Sequence, residues 1–405
     1  MYGLHLTSEQ LEIRDTVREF VTREVKPVVL HPDRLQLSDR GIPMELLAQA
    51  SELGLRTLGL SEASGGAGAD ALTACIVAEE LGAGDADLAV ILAHTSGLSH
   101  ALFDGAMNDA QRARWLPAFL TDAGYHLAYA SNARKPAPEY HRPAAASREP
   151  SLTAAREANG DWSIAGFIEC IPNAPLAGLV IAECSLRGSM TESVLLVVPR
   201  DTPGLVITPL AAGPDADSPR PWMHGSCGAA QFTQCRVPAE HKLDAPSTLL
   251  PAPGRGMPLL PAVNLGIGRA AFEAAVDYGK LRVQGGRPII EHEAIGLLLA
   301  DIAIKLNIAR SAVWQAAWAY DHPSSWQDRS LPDLPLATMA AAYTSEAVHQ
   351  ATLRAAEVFG AMGVMRDVPM HKYVSDALRF LHGSISVTAE KLALAEAIAG
   401  YRRPA

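Results

Sequence analysis

The chain has 405 residues, 48% hydrophobic and 19% charged, with a formal net charge of −10. That acidic balance argues against a nucleic-acid or anionic-membrane surface, which needs clustered Lys and Arg. No apolar run reaches the roughly 18 residues that cross a bilayer, and the start, MYGLHLTSEQLEIRD, lacks the basic lead and apolar middle of a signal peptide.

The length suggests two or three domains. The five cysteines (Cys75, Cys170, Cys184, Cys227, Cys235) are odd in number, scattered and without C-x-x-C spacing. They read as reduced thiols of a cytoplasmic protein, not as a disulfide or zinc framework.

The first block, residues 1–121, reads as a helical domain. Thr7 and Gln10 have capping-box spacing, and Leu11, Val17, Phe20, Val21 and Val25 follow on one helical face. A second helix is predicted from Pro43 to Leu53, ending at Gly54. After the loop SEASGGAGAD, the run ALTACIVAEELG has a mixed, largely apolar surface that fits a buried helix, and QRARWLPAFL closes the block. The GGAG turn lacks the Lys-Ser/Thr of a phosphate-binding loop. His94 and His100 are six apart on one helix rather than the four of a metal pair, so no metal site is expected.

Residues 122–241 change character. Short β-rich runs, among them HLAYAS, LAGLVIAECS, ESVLLVVP and AAQFTQCRVP, alternate with turn residues, and Asn159-Gly160 marks a hairpin. Without helices between them, these runs predict a small antiparallel barrel or sandwich. No G-x-G-x-x-G follows a strand, which argues against a Rossmann nucleotide site. Residues 242–405 return to helices. Ile295, Leu299, Ile302, Leu306, Ala309 and Val313 form the three- and four-residue seam of a four-helix bundle. Residues 322–335 link two helices; further helices are expected at about 336–360 and from Val387 to Ala399.

This order, and several phrases within it, resembles the acyl-CoA dehydrogenase superfamily. GLRTLGLSEASGGAG is similar to that family's "GL…PEEYGGAG", QRARWLPAFLTDAG to "QK–WLP–GE", and CRVPAEHKL to "V-VP-EN-LG". YGKLRVQGGRPIIEHEAIGLLLADIAIKLNIAR and VFGAMGVMRDVP resemble two phrases of the family's last domain. The resemblance implies a mainly α fold with a central β domain between an N-terminal helical domain and a C-terminal four-helix bundle. It also implies FAD, an acyl-CoA or acyl-carrier-protein thioester as substrate, and electron-transfer flavoprotein or oxygen as acceptor. The assembly would be a dimer or tetramer.

The family's reaction removes an α-proton with a carboxylate while a hydride leaves the β-carbon for the flavin. By the resemblance, His382 in RFLHGSISV stands where that Glu is usual, and Gly268 precedes the Arg that in some members follows an alternative base. His382 is therefore the catalytic candidate. An imidazole with an ordinary pKa of about 6.5 suits general-base work near neutral pH. It would otherwise donate to a flavin–oxygen adduct, or cap a helix. Tyr129, Ser131 and Asn132 are candidates to face the flavin, or are plain strand residues. Arg282 is a candidate for an FAD phosphate or for a surface salt bridge, and Arg269 for substrate or for a helix cap.

Other positions depart from the family's flavin contacts. Cys170 replaces an aromatic residue, Pro172 a hydroxyl residue, Gly285 a Phe and Cys227 a Thr. Three functions remain open at this point: a dehydrogenase with an atypical base, a non-catalytic partner subunit of a heteromeric dehydrogenase, and a flavin-dependent monooxygenase.

Overall fold

The computed structural model describes residues 5–35, 41–131, 150–189, 192–210, 223–245, 249, 255–331, 333–365, 367–383 and 387–399. The first helix begins with the expected capping box. The Thr7 side chain accepts from the Gln10 N–H, and the Gln10 side chain accepts from the Thr7 N–H. Helices α1 (Ser8–Phe20), α2 (Lys26–Val29), α3 (Met44–Glu52), α4 (Ala71–Gly82), α5 (Ala86–Ser99) and α6 (Asp109–Thr121) make the first block. Gly54, in the left-handed region at φ +80°, turns the chain after α3. Asp70 and Asp85 cap α4 and α5, and both helices are buried nearly all round.

The middle block holds β1 (His126–Ala130), β2 (Leu152–Arg156), β3 (Trp162–Pro172), β4 (Ala177–Leu186), β5 (Ser193–Pro199), β6 (Leu205–Pro209) and β7 (Cys227–Val237). Asn159-Gly160 turns β2 into β3, with Gly160 at φ +92°. The expected all-antiparallel sheet is corrected: the sheet is mixed, in the order β1-β4-β2-β3-β7-β6, with β5 also on β4. β1 and β2 both run parallel to β4 and occupy successive stretches of it. Parallel neighbours need a crossover; the chain supplies it between β1 and β4, so the pairing is not visible in the local pattern. The sheet extends past residue 241 through a bridge between Leu196 and Lys242.

The last block contains α7 (Leu259–Leu281), a hairpin of β8 (Val283–Gln284) and β9 (Arg287–Pro288), then α8 (Glu293–Asp321), α9 (Ser324–Gln327), α10 (Leu336–Phe359), α11 (Met370–His382) and α12 (Val387–Ala399). Leu299, Ile302, Leu306, Ala309 and Val313 are buried along α8, as their spacing predicts. One apolar cluster contains residues of α1, α4, α5, α7, α8 and α10, so the two helical blocks share a core.

α7 is long and apolar enough, by length and composition alone, to cross a membrane. Its apolar side chains instead pack into that bundle. Two glycines let it meet α4 backbone to backbone. A Cβ at Gly266 would lie 2.1 Å from the Glu79 carbonyl, and one at Gly82 would lie 2.2 Å from the Val263 carbonyl. This crossing brings the acidic end of α4 against the middle of α7.

Candidate functional site

At that crossing sits Arg269. Its guanidinium lies 3.1 Å from Glu79, 2.7 Å from Glu80 and 3.0 Å from Glu273. Arg310 on α8 reaches Glu79 at 2.7 Å, and Arg18 on α1 reaches Glu80 at 2.7 Å. The Arg269 side chain is only 12% exposed. Burial opposes its charge, but the three carboxylates outweigh that and raise its pKa further. These pairs make Arg269 a tie between α7 and α4.

Gly268, beside it, faces the bundle core. A Cβ there would meet Leu306 Cδ2 at 2.6 Å and both Val348 methyls at 3.2 Å. A larger side chain at this position would have to displace Leu306 and Val348.

A second buried network joins all three blocks. Asp87, in the first turn of α5, accepts hydrogen bonds from His224 Nδ1 at 3.0 Å and the Gly225 N–H at 3.0 Å. The Arg379 guanidinium on α11 stands 3.4 Å away. His224 Nε2 faces the Asp376 carbonyl at 2.9 Å, and Lys372 pairs with Asp376 at 2.7 Å and with Asp85 at 3.5 Å. Burial pushes the Asp87 carboxyl upward. The His224 hydrogen bond and the Arg379 charge outweigh burial, so its pKa lies well below the carboxylate range. The sequence reading missed this network. Its signal was the i, i+4, i+7 spacing of Lys372, Asp376 and Arg379 on one helical face.

The network fixes α11, which ends at His382. That imidazole is exposed at the helix terminus. It is close enough to His349 on α10 that, after burial, its charge is the second cause of a lowered His349 pKa. The buried His349 Nδ1 has no hydrogen bond among the described residues. Residues 377–389 contain neither Asp nor Glu. The next carboxyl along the chain is Glu390 on α12. Its Oε2 is buried without a hydrogen bond among the described residues, and burial pushes its pKa up to about 7.

On the β domain, the Tyr129 hydroxyl donates to Glu183 Oε2 at 2.8 Å and the Ser131 hydroxyl donates to the same oxygen at 3.2 Å. Asn132 lies outside the described residues. Beneath β1, His126 and Asn173 meet at the Thr95 hydroxyl. Asn173 Nδ2 donates to it at 3.1 Å, so its proton goes to His126 Nδ1 at 3.0 Å. Burial lowers the pKa of His126 to about 4. Arg282 is exposed at the C-terminal cap of α7, where the hairpin begins. The structure therefore brings Tyr129 and Ser131 together, places Arg269 in the middle and Arg282 at the end of α7, and puts His382 at the end of α11.

Two models of one family match the chain: the acyl-CoA dehydrogenase N-terminal domain over residues 7–123 and the C-terminal domain over residues 256–395. The chain belongs to the acyl-CoA dehydrogenase family. A probable acyl-CoA dehydrogenase of Bacillus subtilis is 28% identical over 97% of this chain and 98% of its own length. The mitochondrial short-chain specific acyl-CoA dehydrogenase of Bos taurus is 27% identical over 90% of this chain and 84% of its own. Among solved structures, butyryl-CoA dehydrogenase from Megasphaera elsdenii superposes with a TM-score of 0.78 at 21% identity, covering 98% of this chain and 100% of that one. The prolyl acyl carrier protein oxidase AnaB gives 0.76 at 19%, over 97% and 100%. These two share the fold.

Family members are flavin-dependent oxidoreductases, and a flavin bound here would meet the residues the resemblance names. They do not fit it as the resemblance implies. Both hydroxyls expected on the ring donate to a carboxylate. Pro172 has neither a side-chain donor nor an N–H, and thiols stand at 170 and 227. Within this family the chain keeps the common scaffold.

Proposed function

We propose that this chain is one subunit of an FAD-dependent acyl-thioester dehydrogenase assembly in which another chain supplies the proton-abstracting carboxylate and most of the flavin contacts. The observation that carries this reading is the region around His382. No Asp or Glu lies between residues 377 and 389, and the His382 imidazole is exposed at a helix end. A base needs a dry, fixed position beside the substrate to work at the required strength.

An oligomer is supported by apolar side chains left on the surface. On α8, Leu297 is 69% exposed, Ile304 57% and Ile308 50%; Leu281 and Val283 flank Arg282. Positions 297, 304 and 308 share one helical face, and contiguous apolar surface of this kind marks contact with protein. An acyl-CoA or acyl-carrier-protein thioester is the substrate of the assembly. The acceptor is electron-transfer flavoprotein or oxygen, and the compartment is the cytoplasm.

The test is to purify the chain alone and together with a co-expressed acyl-CoA dehydrogenase chain, record visible spectra, and mix each anaerobically with acyl thioesters. The expected result is a flavin band and bleaching only in the mixed complex. A homo-oligomer loaded with flavin and bleached by substrate sinks the proposal.

That outcome would favour a second reading, in which His382 itself is the base. The observation behind it is the neighbouring His349, whose lowered pKa keeps it neutral near pH 7. In that case His382→Ala abolishes bleaching while leaving the flavin band in place. The flavin monooxygenase reading has no separate observation in its favour.

A further inference from the structure

Two of the residues that depart from the family's pattern meet each other. Cys170 lies near the end of β3 and Cys227 opens β7, and these strands pair antiparallel with Ile171 opposite Gly228 and Pro172 opposite Cys227. Cys170 is thus the diagonal neighbour of Cys227. The register shifts between Ile168 and Ile171, and a bulge of this kind re-aims the side chains beside it. The Cys227 thiol is hydrogen-bonded to Cys170. Cys170 Sγ also lies 3.9 Å from Met223 Sδ, so three sulfur atoms line this edge of the sheet.

We propose that Cys170 and Cys227 are a redox-reactive dithiol that a two-electron oxidant, a hydroperoxide, closes to a cross-strand disulfide.

The two thiols differ in a way that divides the labour. Cys170 is partly exposed, whereas Cys227 is 6% exposed. The hydrogen bond with Cys170, then burial, push the Cys227 thiol up, so Cys227 remains a thiol. Cys170 is the sulfur an oxidant reaches. Its thiolate attacks one peroxide oxygen, the O–O bond breaks, and the departing hydroxide is protonated to water, leaving a sulfenic acid. Cys227 sulfur then attacks the Cys170 sulfur. The S–S bond forms, the S–O bond breaks, and the leaving hydroxide takes the Cys227 proton to give a second water. The dithiol gives up two electrons, and the peroxide becomes two waters.

The other three cysteines do not share these features. Cys75 is 1% exposed, and Cys184 and Cys235 are 0% exposed. Cys184 feels the charge of Cys235 inside the β core, which makes this pair the internal control. The new bond would fasten β3 to the chain just after His224 and Gly225, the residues held by Asp87. This chemistry does not depend on whether the chain binds flavin.

The experiment uses the full-length chain, reduced, desalted and titrated with hydrogen peroxide. Remaining thiols are alkylated and the peptides mapped by mass spectrometry without reduction. Expected is one cross-linked peptide joining residues 170 and 227, two hydrogen masses lighter than the sum of its parts and lost on adding dithiothreitol. Cys227→Ser should stop at the first step, with dimedone trapping a sulfenic acid on Cys170; Cys170→Ser should give neither product. The wild-type map needs no variant to fold. No cross-link at oxidant levels that already block alkylation of any other thiol, a cross-link of 184 to 235 instead, or no dimedone adduct on Cys170 in Cys227→Ser overturns the proposal.

Discussion

Replacing Asp87 with Ala removes the acceptor shared by His224 Nδ1, the Gly225 N–H and the Arg379 guanidinium. All three groups are buried or nearly so, and water cannot easily take the carboxylate's place. A hydrogen bond to a charged group contributes about 1.5–3 kcal/mol, and breaking a buried ion pair by deleting one partner costs about 3–5 kcal/mol. A loss of about 4 kcal/mol is therefore expected. Unfolding entropy of about 2.1 cal/mol/K per residue gives roughly 0.85 kcal/mol per degree for a chain of this length, so the loss is a fall of about 5 °C in Tm. Differential scanning fluorimetry of wild type, Asp87→Ala, Arg379→Met and the double variant measures it. Because the two side chains share one network, the double variant should be milder than the sum by about 1 kcal/mol or more. The Asp87 pKa is depressed in the fold. Its contribution is therefore complete above the unfolded value and is lost only as pH falls through the folded one, so the penalty should be the same at pH 5 and pH 7. A Tm within about 1 °C of wild type for Asp87→Ala, or strict additivity, refutes the reasoning.

Gly268→Glu, which would put a carboxylate beside Arg269, is expected to give insoluble or unfolded protein rather than a dehydrogenase, because its Cβ would enter the space of Leu306 and Val348; soluble expression with a wild-type Tm would contradict the packing. His126 is held neutral, with its pKa lowered from 6.5 to about 4. The unfolded chain therefore binds the extra proton in this window, and stability falls as pH drops from about 6.5 towards 4, by up to roughly 3 kcal/mol from this residue. His126→Gln should flatten that slope in Tm measured at pH 7, 6 and 5, and an unchanged slope would assign it elsewhere. For Glu390 the sign reverses: its pKa is raised to about 7, so the folded chain keeps a proton the unfolded chain has lost, and stability declines between about pH 4.5 and 7. Glu390→Gln should raise Tm at pH 8 and leave it unchanged at pH 4.5; equal shifts at both would show that charge is not the cause.

Local order was readable from the sequence by itself. The Thr7–Gln10 capping box, the largely apolar α4, the Asn159-Gly160 hairpin and the α8 seam follow from neighbours within a few residues, and such patterns report directly on which groups a helix or strand must bury or cap. The absence of an acid between 377 and 389 was equally plain. What only the tertiary structure decided concerns residues far apart in the chain. Arg269 finds Glu80 across 189 positions, and His224 finds Asp87 across 137. The parallel pairing of β1 with β4 and the meeting of Cys170 with Cys227 are of the same kind. A charged or thiol side chain takes its chemistry from its neighbours in space, through burial and paired charge, and no periodicity along the chain specifies who those neighbours are. That is why Arg269 could be singled out from its sequence while its carboxylate partners could not.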